Sequence, residues 1–284
     1  MGRTHLEVEI LQVMMRAMSQ MHLPQALKIT EIRIENAYTK TFVLAGSLAA
    51  EPGQFVMAWL PGFEDKPFSL ANANPISLTV AAVGPFSRAL HQLDVGGWLW
   101  VRGAMGRGYQ LPIAAPPNKT ILLIGGGYGV APLLFLARHA LASGYHVSMI
   151  SGARCGPDLI LTAAFEALGV SLWLTTEDGS VGQKGRVTDA IALALAETPA
   201  RPAAVYACGP TGMLEAVAAR CVAENIPMQL GWEAHMRCGI GLCGSCEVGQ
   251  GWLTCLDGPV FPFDPLKTPP AGATADRSKI RPLL

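Results

Sequence analysis

Thr120-Ile-Leu-Leu-Ile-Gly-Gly-Gly-Tyr-Gly-Val-Ala-Pro132 is the stretch on which the fold turns. Its first five residues are apolar or β-branched, as in a buried strand. Glycines then break the strand, and apolar periodicity resumes over 131–142 at helical spacing. Strand, glycine turn and helix make the first half of a βαβ unit. The alternation repeats downstream, with strands expected at 146–151, 171–176 and 203–207 and helices at 159–168, 188–197 and 212–224. This rhythm predicts a parallel, doubly wound α/β sheet over residues 118–230.

Glycines between a strand and a helix allow a tight turn and let phosphates approach the helix N-terminus. Gly125, Gly127 and Gly129 are therefore candidates to hold a nucleotide. A glycine turn with no ligand is the alternative. A strict G-x-G-x-x-G would need glycine where Val130 stands. The acidic residue expected about 20 residues further on is missing, and the chain there reads Ser151-Gly-Ala-Arg154. Both points argue against the dehydrogenase type of Rossmann fold. A second strand-end loop reads Cys208-Gly209-Pro210. Cys208 is a candidate to touch a nicotinamide, with Gly209 and Pro210 shaping the turn. A buried structural cysteine is the alternative.

Upstream, the period changes from helical to strand-like. Short β-rich runs at 27–34, 41–48, 54–60, 68–71, 76–83 and 98–103 are separated by Gly, Pro and Asn turns. Six such strands predict a small antiparallel β-barrel over residues 26–117, with one helix at 87–93. Ala114-Ala115-Pro116-Pro117-Asn118 is the natural boundary with the α/β domain. Within the barrel, Lys66-Pro67-Phe68-Ser69 and Gly84-Pro85-Phe86-Ser87 pair a cation and hydroxyls with a helix start. That combination suits a flavin and its phosphates; solvated turns are the alternative. Residues 1–25 carry Leu6, Ile10, Val13, Met14, Ala17, Met18 and Met21 at helical spacing. They read as an extension: a helix packed on the body, a helix docking a partner, or a start codon set too early. Residues 264–284, with four prolines, read as an extended tail.

Composition narrows the function. The 284 residues are 50% hydrophobic and only 15% charged, which excludes a disordered chain. The 21 basic and 21 acidic side chains cancel, so the basic excess of a nucleic-acid binder is missing. A span needs about 20 apolar residues in a row. Arg16 cuts the N-terminal run, and the run from 120 to 135 is glycine-rich. We expect a cytoplasmic protein with no membrane span. Low charge and a mean hydropathy of +0.32 suggest surface covered by a partner.

Four of the seven cysteines fall between 238 and 255. Cys238-Gly-Ile-Gly-Leu-Cys243-Gly-Ser-Cys246 is C-x4-C-x2-C, and Cys255 follows after eight residues. This begins like the plant-type [2Fe–2S] spacing. Glycines at 239, 241 and 244 let the loop wrap a cluster and aim backbone N–H groups at its sulfurs. Residues 231–263 thus form a small metal module, with Cys238, Cys243, Cys246 and Cys255 as ligands. Structural zinc and free thiols are the alternatives, though zinc sites usually show two close pairs and only one C-x-x-C is present. Cys221 reads as a small core residue and Cys155 as an incidental loop thiol.

Together these motifs resemble the ferredoxin–NADP reductase superfamily and, more closely, its dihydroorotate dehydrogenase B electron-transfer subunits. Lys66–Ser69 resembles the flavin motif Arg-x-(Tyr/Phe/Leu)-Ser. Gly103-Ala-Met-Gly-Arg-Gly-Tyr109, Gly125–Pro132, Glu177–Asp189 and Cys208–Pro210 follow in family order. The most specific stretch is Glu233-x-x-Met236-x-Cys238-Gly-Ile-Gly-x-Cys243-x-x-Cys246, closed by Cys255-Leu-Asp-Gly-Pro-Val-Phe261. The resemblance implies FAD in the barrel, NAD(P)H in the α/β domain and one [2Fe–2S] cluster in the C-terminal module. It implies that Lys66, Pro67, Phe68 and Ser69 lie at the flavin and that Gly84 and Ser87 face its pyrophosphate. Gly127, Gly129 and Cys208 would lie at the nicotinamide nucleotide. It also implies an FMN-containing catalytic subunit that oxidises dihydroorotate to orotate in pyrimidine biosynthesis, joined in a heterotetramer. Lys66 replaces the usual Arg, Phe86-Ser87 replaces the usual Gly-Thr, and the Cys246–Cys255 spacer is short. The same motifs fit a diaphorase subunit of a hydrogenase, sulfide dehydrogenase or ferredoxin oxidoreductase. A non-catalytic binding protein that kept the fold is the reading from another class.

Overall fold

The structure is a computed structural model that describes residues 23–112, 119–197 and 201–264. The helix expected before residue 23, the boundary around Ala114–Pro117 and the tail after Asp264 lie outside the described residues.

Six strands close an antiparallel barrel: β1 (Gln25–Ile34), β2 (Thr39–Leu44), β3 (Phe55–Trp59), β4 (Lys66–Ala73), β5 (Ile76–Ala81) and β6 (Trp98–Met105). Their order around the barrel is β1-β2-β5-β4-β3-β6. Alternate residues fill the interior, as the two-residue strand period requires. Phe42, Leu44, Val56, Ala58, Leu70, Leu78, Val80, Leu99 and Val101 are all buried there. Strand β3 is apolar on both faces for a second reason. Its other face, Phe55 and Met57, packs against Met236, Cys246 and Cys255 of the C-terminal module. Helix α1 (Pro85–Leu90) begins with proline in its first turn and a Ser87 capping interaction.

The second domain alternates β7 (Thr120–Gly126), α2 (Val130–Ala142), β8 (His146–Ala153), α3 (Thr162–Ala167), β9 (Ser171–Thr176), β10 (Gln183–Lys184), α4 (Val187–Glu197), β11 (Ala204–Cys208), α5 (Thr211–Ala223) and β12 (Met228–Gly231). These strands are parallel, and helices cover both faces of the sheet. Every residue of the central strand β7 is buried, as expected of a strand covered on two sides. Helix α3 is shorter than the 159–168 expected from the sequence. Residues Gly156–Asp158 form a 3-10 turn, and Leu161 stands at φ 60°, which interrupts any continuous helix.

The C-terminal module holds a hairpin of β13 (Glu247–Val248) and β14 (Trp252–Leu253), followed by β15 (Val260–Phe261). Strand β15 joins the α/β sheet antiparallel to β12, giving seven strands in the order β10-β9-β8-β7-β11-β12-β15. The module is thus fixed to the barrel through β3 and to the sheet through β15.

Candidate functional site

The cysteine loop lies against the outer face of β3. Gly239, Gly241 and Gly244 have φ of 71°, 79° and 72°, a left-handed conformation that L side chains resist. A Cβ on Gly239 would also stand 3.0 Å from the Met57 side chain, which would have to shift to admit it. The turns aim amides at sulfur. Gly241 N donates to Cys255 Sγ at 3.1 Å, while Ile240 N and Leu242 N donate to Cys238 Sγ at 3.4 and 3.3 Å. Cys246 and Cys255 are buried with sulfurs 3.2 Å apart, and Cys243 is exposed beside the Ser245 hydroxyl at 2.9 Å. Hydrogen bonding by Ser245 pulls the Cys243 thiol down to about 6, whereas burial pushes Cys255 up to about 12. Among the described residues no three His, Cys, Asp or Glu side chains converge as on a single ion. Four thiols served by backbone N–H donors make a donor set that fits an iron–sulfur cluster. The Arg102 guanidinium braces the loop, donating to the Cys238 carbonyl at 2.7 Å and to Asp65 at 2.8 Å.

A cleft of about 240 Å³ separates barrel and α/β domain. Pro67, Phe68 and Ser69 line one wall, with Thr79 and Ala81; Tyr128, Pro132, Trp232 and Glu233 line the other. Trp232 is buried, and its Nε1–H has no partner among the described residues. A buried donor without an acceptor is costly. Half-buried Ser69, in a cleft otherwise walled by Phe55, Phe68, Trp232 and Met236, fits an aromatic ring system with a polar edge, as in a flavin. Lys66 and Gly84 stand off the lining. Lys66 is paired with Glu64 at 3.1 Å. Gly84 N donates to Ser87 Oγ at 2.9 Å, and Ser87 Oγ donates to Gly84 O at 3.1 Å, so this hydroxyl serves the helix start. Phe86 turns inward, buried against Phe63 and Phe68.

A larger cleft, about 620 Å³, opens at the carboxyl ends of β7, β8, β9 and β11, the place where open α/β sheets bind ligands. Gly126, Gly127, Tyr128, Arg154, Thr175, Pro210 and Met213 line it. The glycines divide by role. Gly127 has φ 54° and open space where a Cβ would stand. Gly129 packs so closely on β11 that a Cβ would fall 2.2 Å from the Cys208 carbonyl oxygen, and one on Gly125 would fall 2.6 Å from Val130. Cys208 is buried beneath the cleft. Burial, then the nearby Glu233 charge, raises its thiol pKa. Gly209 sits against Gly126 and Met213. Three lining residues carry no sequence signature: Tyr128, Thr175 and Trp232. Thr175 is buried, and its hydroxyl has no partner among the described residues. Tyr128, half exposed in the glycine loop, borders both clefts.

Known families cover the α/β domain and the cysteine module. Residues 123–219 match the oxidoreductase NAD-binding domain, and residues 233–267 match the iron–sulfur cluster binding domain of dihydroorotate dehydrogenase B. Barrel, α/β sheet and cysteine module therefore define an oxidoreductase of the ferredoxin-reductase type, built for electron transfer. The chain is 37% identical over 248 residues to the probable dihydroorotate dehydrogenase B (NAD(+)) electron transfer subunit of Methanocaldococcus jannaschii, covering 87% of this chain and 93% of that one. It is 40% identical over 222 residues to its counterpart from Thermococcus kodakarensis, covering 78% and 89%. The chain belongs to the family of dihydroorotate dehydrogenase B electron-transfer subunits. Among solved structures, the NADH-dependent reduced ferredoxin-NADP oxidoreductase superposes with a TM-score of 0.73 at 27% identity, covering 83% of this chain and 87% of that one.

Proposed function

We propose that this subunit passes electrons between an FMN-containing catalytic subunit, which oxidises dihydroorotate to orotate, and NAD⁺. The route runs through a [2Fe–2S] cluster at Cys238, Cys243, Cys246 and Cys255 and an FAD in the smaller cleft. The complex would be a cytoplasmic heterotetramer serving pyrimidine biosynthesis. One observation carries the reading: the three sites share walls. Tyr128 borders the dinucleotide and flavin clefts. Phe55 and Met236 border the flavin cleft and also pack on Cys246 and Cys255. Neighbouring sites therefore have one side-chain layer between them. Among the described residues no helix is long and apolar enough to cross a membrane.

When bound, FAD supplies the exchange between a two-electron hydride and the single electrons a cluster carries. The chain's residues hold and insulate. Ser69 offers a hydrogen bond to the ring, and Phe55 and Met236 keep water from the shared wall. Cys208, kept as a neutral thiol by burial, supports the floor where the nicotinamide would lie. Gly127 leaves room for phosphates at the start of α2.

Cys243→Ser tests the cluster assignment. Iron content should fall to background while bound flavin stays at the wild-type ratio. Unchanged iron would remove Cys243 from the ligand set. Ser69→Ala tests the flavin assignment, with weaker flavin retention or slower flavin reduction expected. A variant unaffected in both would place the flavin elsewhere.

A further inference from the structure

A third cavity, of about 400 Å³, lies in the seam between barrel and α/β domain. Thr79 borders both it and the flavin cleft. Along β4 the flavin cleft takes Pro67–Ser69, while this cavity takes Ala71, away from Lys66. It has no part in the electron route described above.

Its chemistry is unbalanced. Arg138, on α2, is half-buried and donates one bond, to the Ala71 carbonyl at 3.3 Å. A guanidinium has five N–H donors. Among the described residues no carboxylate stands within 4.0 Å of Arg138. Its charged form is disfavoured by burial and then by the like charge of Arg33, which lines the same cavity. Arg33 is itself tied to Glu31 at 2.6 and 2.8 Å. The one acid in the lining, Glu35, accepts from Thr41 at 2.7 Å. Buried Ser77, on β5, lines the cavity. Leu134, Leu159 and Leu161 complete an apolar wall. An unpaired cation in such a place costs stability unless an anion meets it.

We propose that this cavity binds a small organic oxyanion, a phosphate or carboxylate on an apolar body, through Arg138 and Ser77. The ligand would touch the barrel through β5 and the α/β domain through α2. It would therefore brace the two domains that share the electron route.

Titration of the full-length protein with phenyl phosphate, with benzoate and with inorganic phosphate tests this, read by calorimetry with NAD⁺ at saturation. One saturable site is expected, with phenyl phosphate or benzoate tighter than inorganic phosphate because the leucine wall takes the ring. The stronger of the two organic ligands identifies the oxyanion. Arg138→Gln should weaken binding by about tenfold or more, the usual worth of a charge-assisted hydrogen bond. Arg138→Lys should keep part of the affinity. Unchanged NAD⁺ binding would show that the Gln variant is folded. Should that variant be unstable, Ser77→Ala is the substitute, with a several-fold loss expected. Equal binding by wild type and variants, or no saturable binding of any of the three anions, would overturn the proposal.

Discussion

A methyl group separates the roles of Gly127 and Gly129. At Gly129 it would meet the Cys208 carbonyl at 2.2 Å, backbone against backbone, with no flexible side chain to yield. We expect Gly129→Ala to destabilise the protein by about 3 kcal/mol or more in urea unfolding. At Gly127 the space is open, and only the left-handed φ of 54° opposes a side chain. Gly127→Ala should cost about 1 kcal/mol of stability and weaken nucleotide binding more than it weakens the fold. Sequence alone treats the two alike, because a cradle for phosphate and a tight packing contact both exclude Cβ. The cysteines were more legible. Their spacing and the glycines between them specify a loop wound around sulfur, and the loop shows amides directed at Cys238 and Cys255. Trp232 and Thr175 were illegible for a simple reason: a buried polar atom without a partner is visible only once its surroundings are known.

At the scale of elements, the two-residue strand β15 carries more than its length suggests. Phe261 is buried against Trp252 and Phe263, and its backbone pairs with Leu230. Phe261→Ala should cost about 3–5 kcal/mol and loosen the cysteine module, so iron would be lost earlier in a thermal ramp than in wild type. A strand of two residues has no period, so the sequence of the cysteine module announces no element there. Strand β3 shows the opposite case. Its unbroken apolar run is explained by two partners, barrel interior and cysteine module, where alternation alone would predict one. The long strands and helices were legible because their apolar periods run through a whole face. Helix α3 was overestimated because apolar content continues through residues that the backbone turns out of the helix. A pH effect belongs here too. His91, after α1, is partly buried, and burial with the nearby Lys40 charge outweighs the Val80 carbonyl 2.8 Å from Nε2, so its folded pKa lies below its usual 6.5. The unfolded chain takes the proton more readily. Its contribution to stability is therefore complete above about pH 6.5 and lost as pH falls toward the lower folded value. Urea midpoints should drop between about pH 7.5 and about pH 5.5, and His91→Gln should flatten part of that drop. An unaltered pH slope in the variant would remove His91 from the explanation.

For the whole molecule, the decisive property is adjacency: the larger cleft, the smaller cleft and the cysteine loop each share a wall with the next. The domain sequence of barrel, α/β sheet and cysteine module announces three sites but not their shared walls. Those walls depend on Tyr128, Phe55 and Met236, which ordinary packing rules would treat as core or loop residues. The C-terminal module completes the adjacency because it touches both domains, β3 of the barrel and β12 of the sheet. One measurement tests this adjacency most directly: an anaerobic visible spectrum of the protein reconstituted with FAD, iron and sulfide, recorded before and after NADH. Flavin bands with added iron–sulfur absorbance, both bleached by NADH, are the predicted result. A protein that binds FAD and iron but whose iron–sulfur absorbance stays unchanged when its flavin is reduced would contradict a continuous route through these walls.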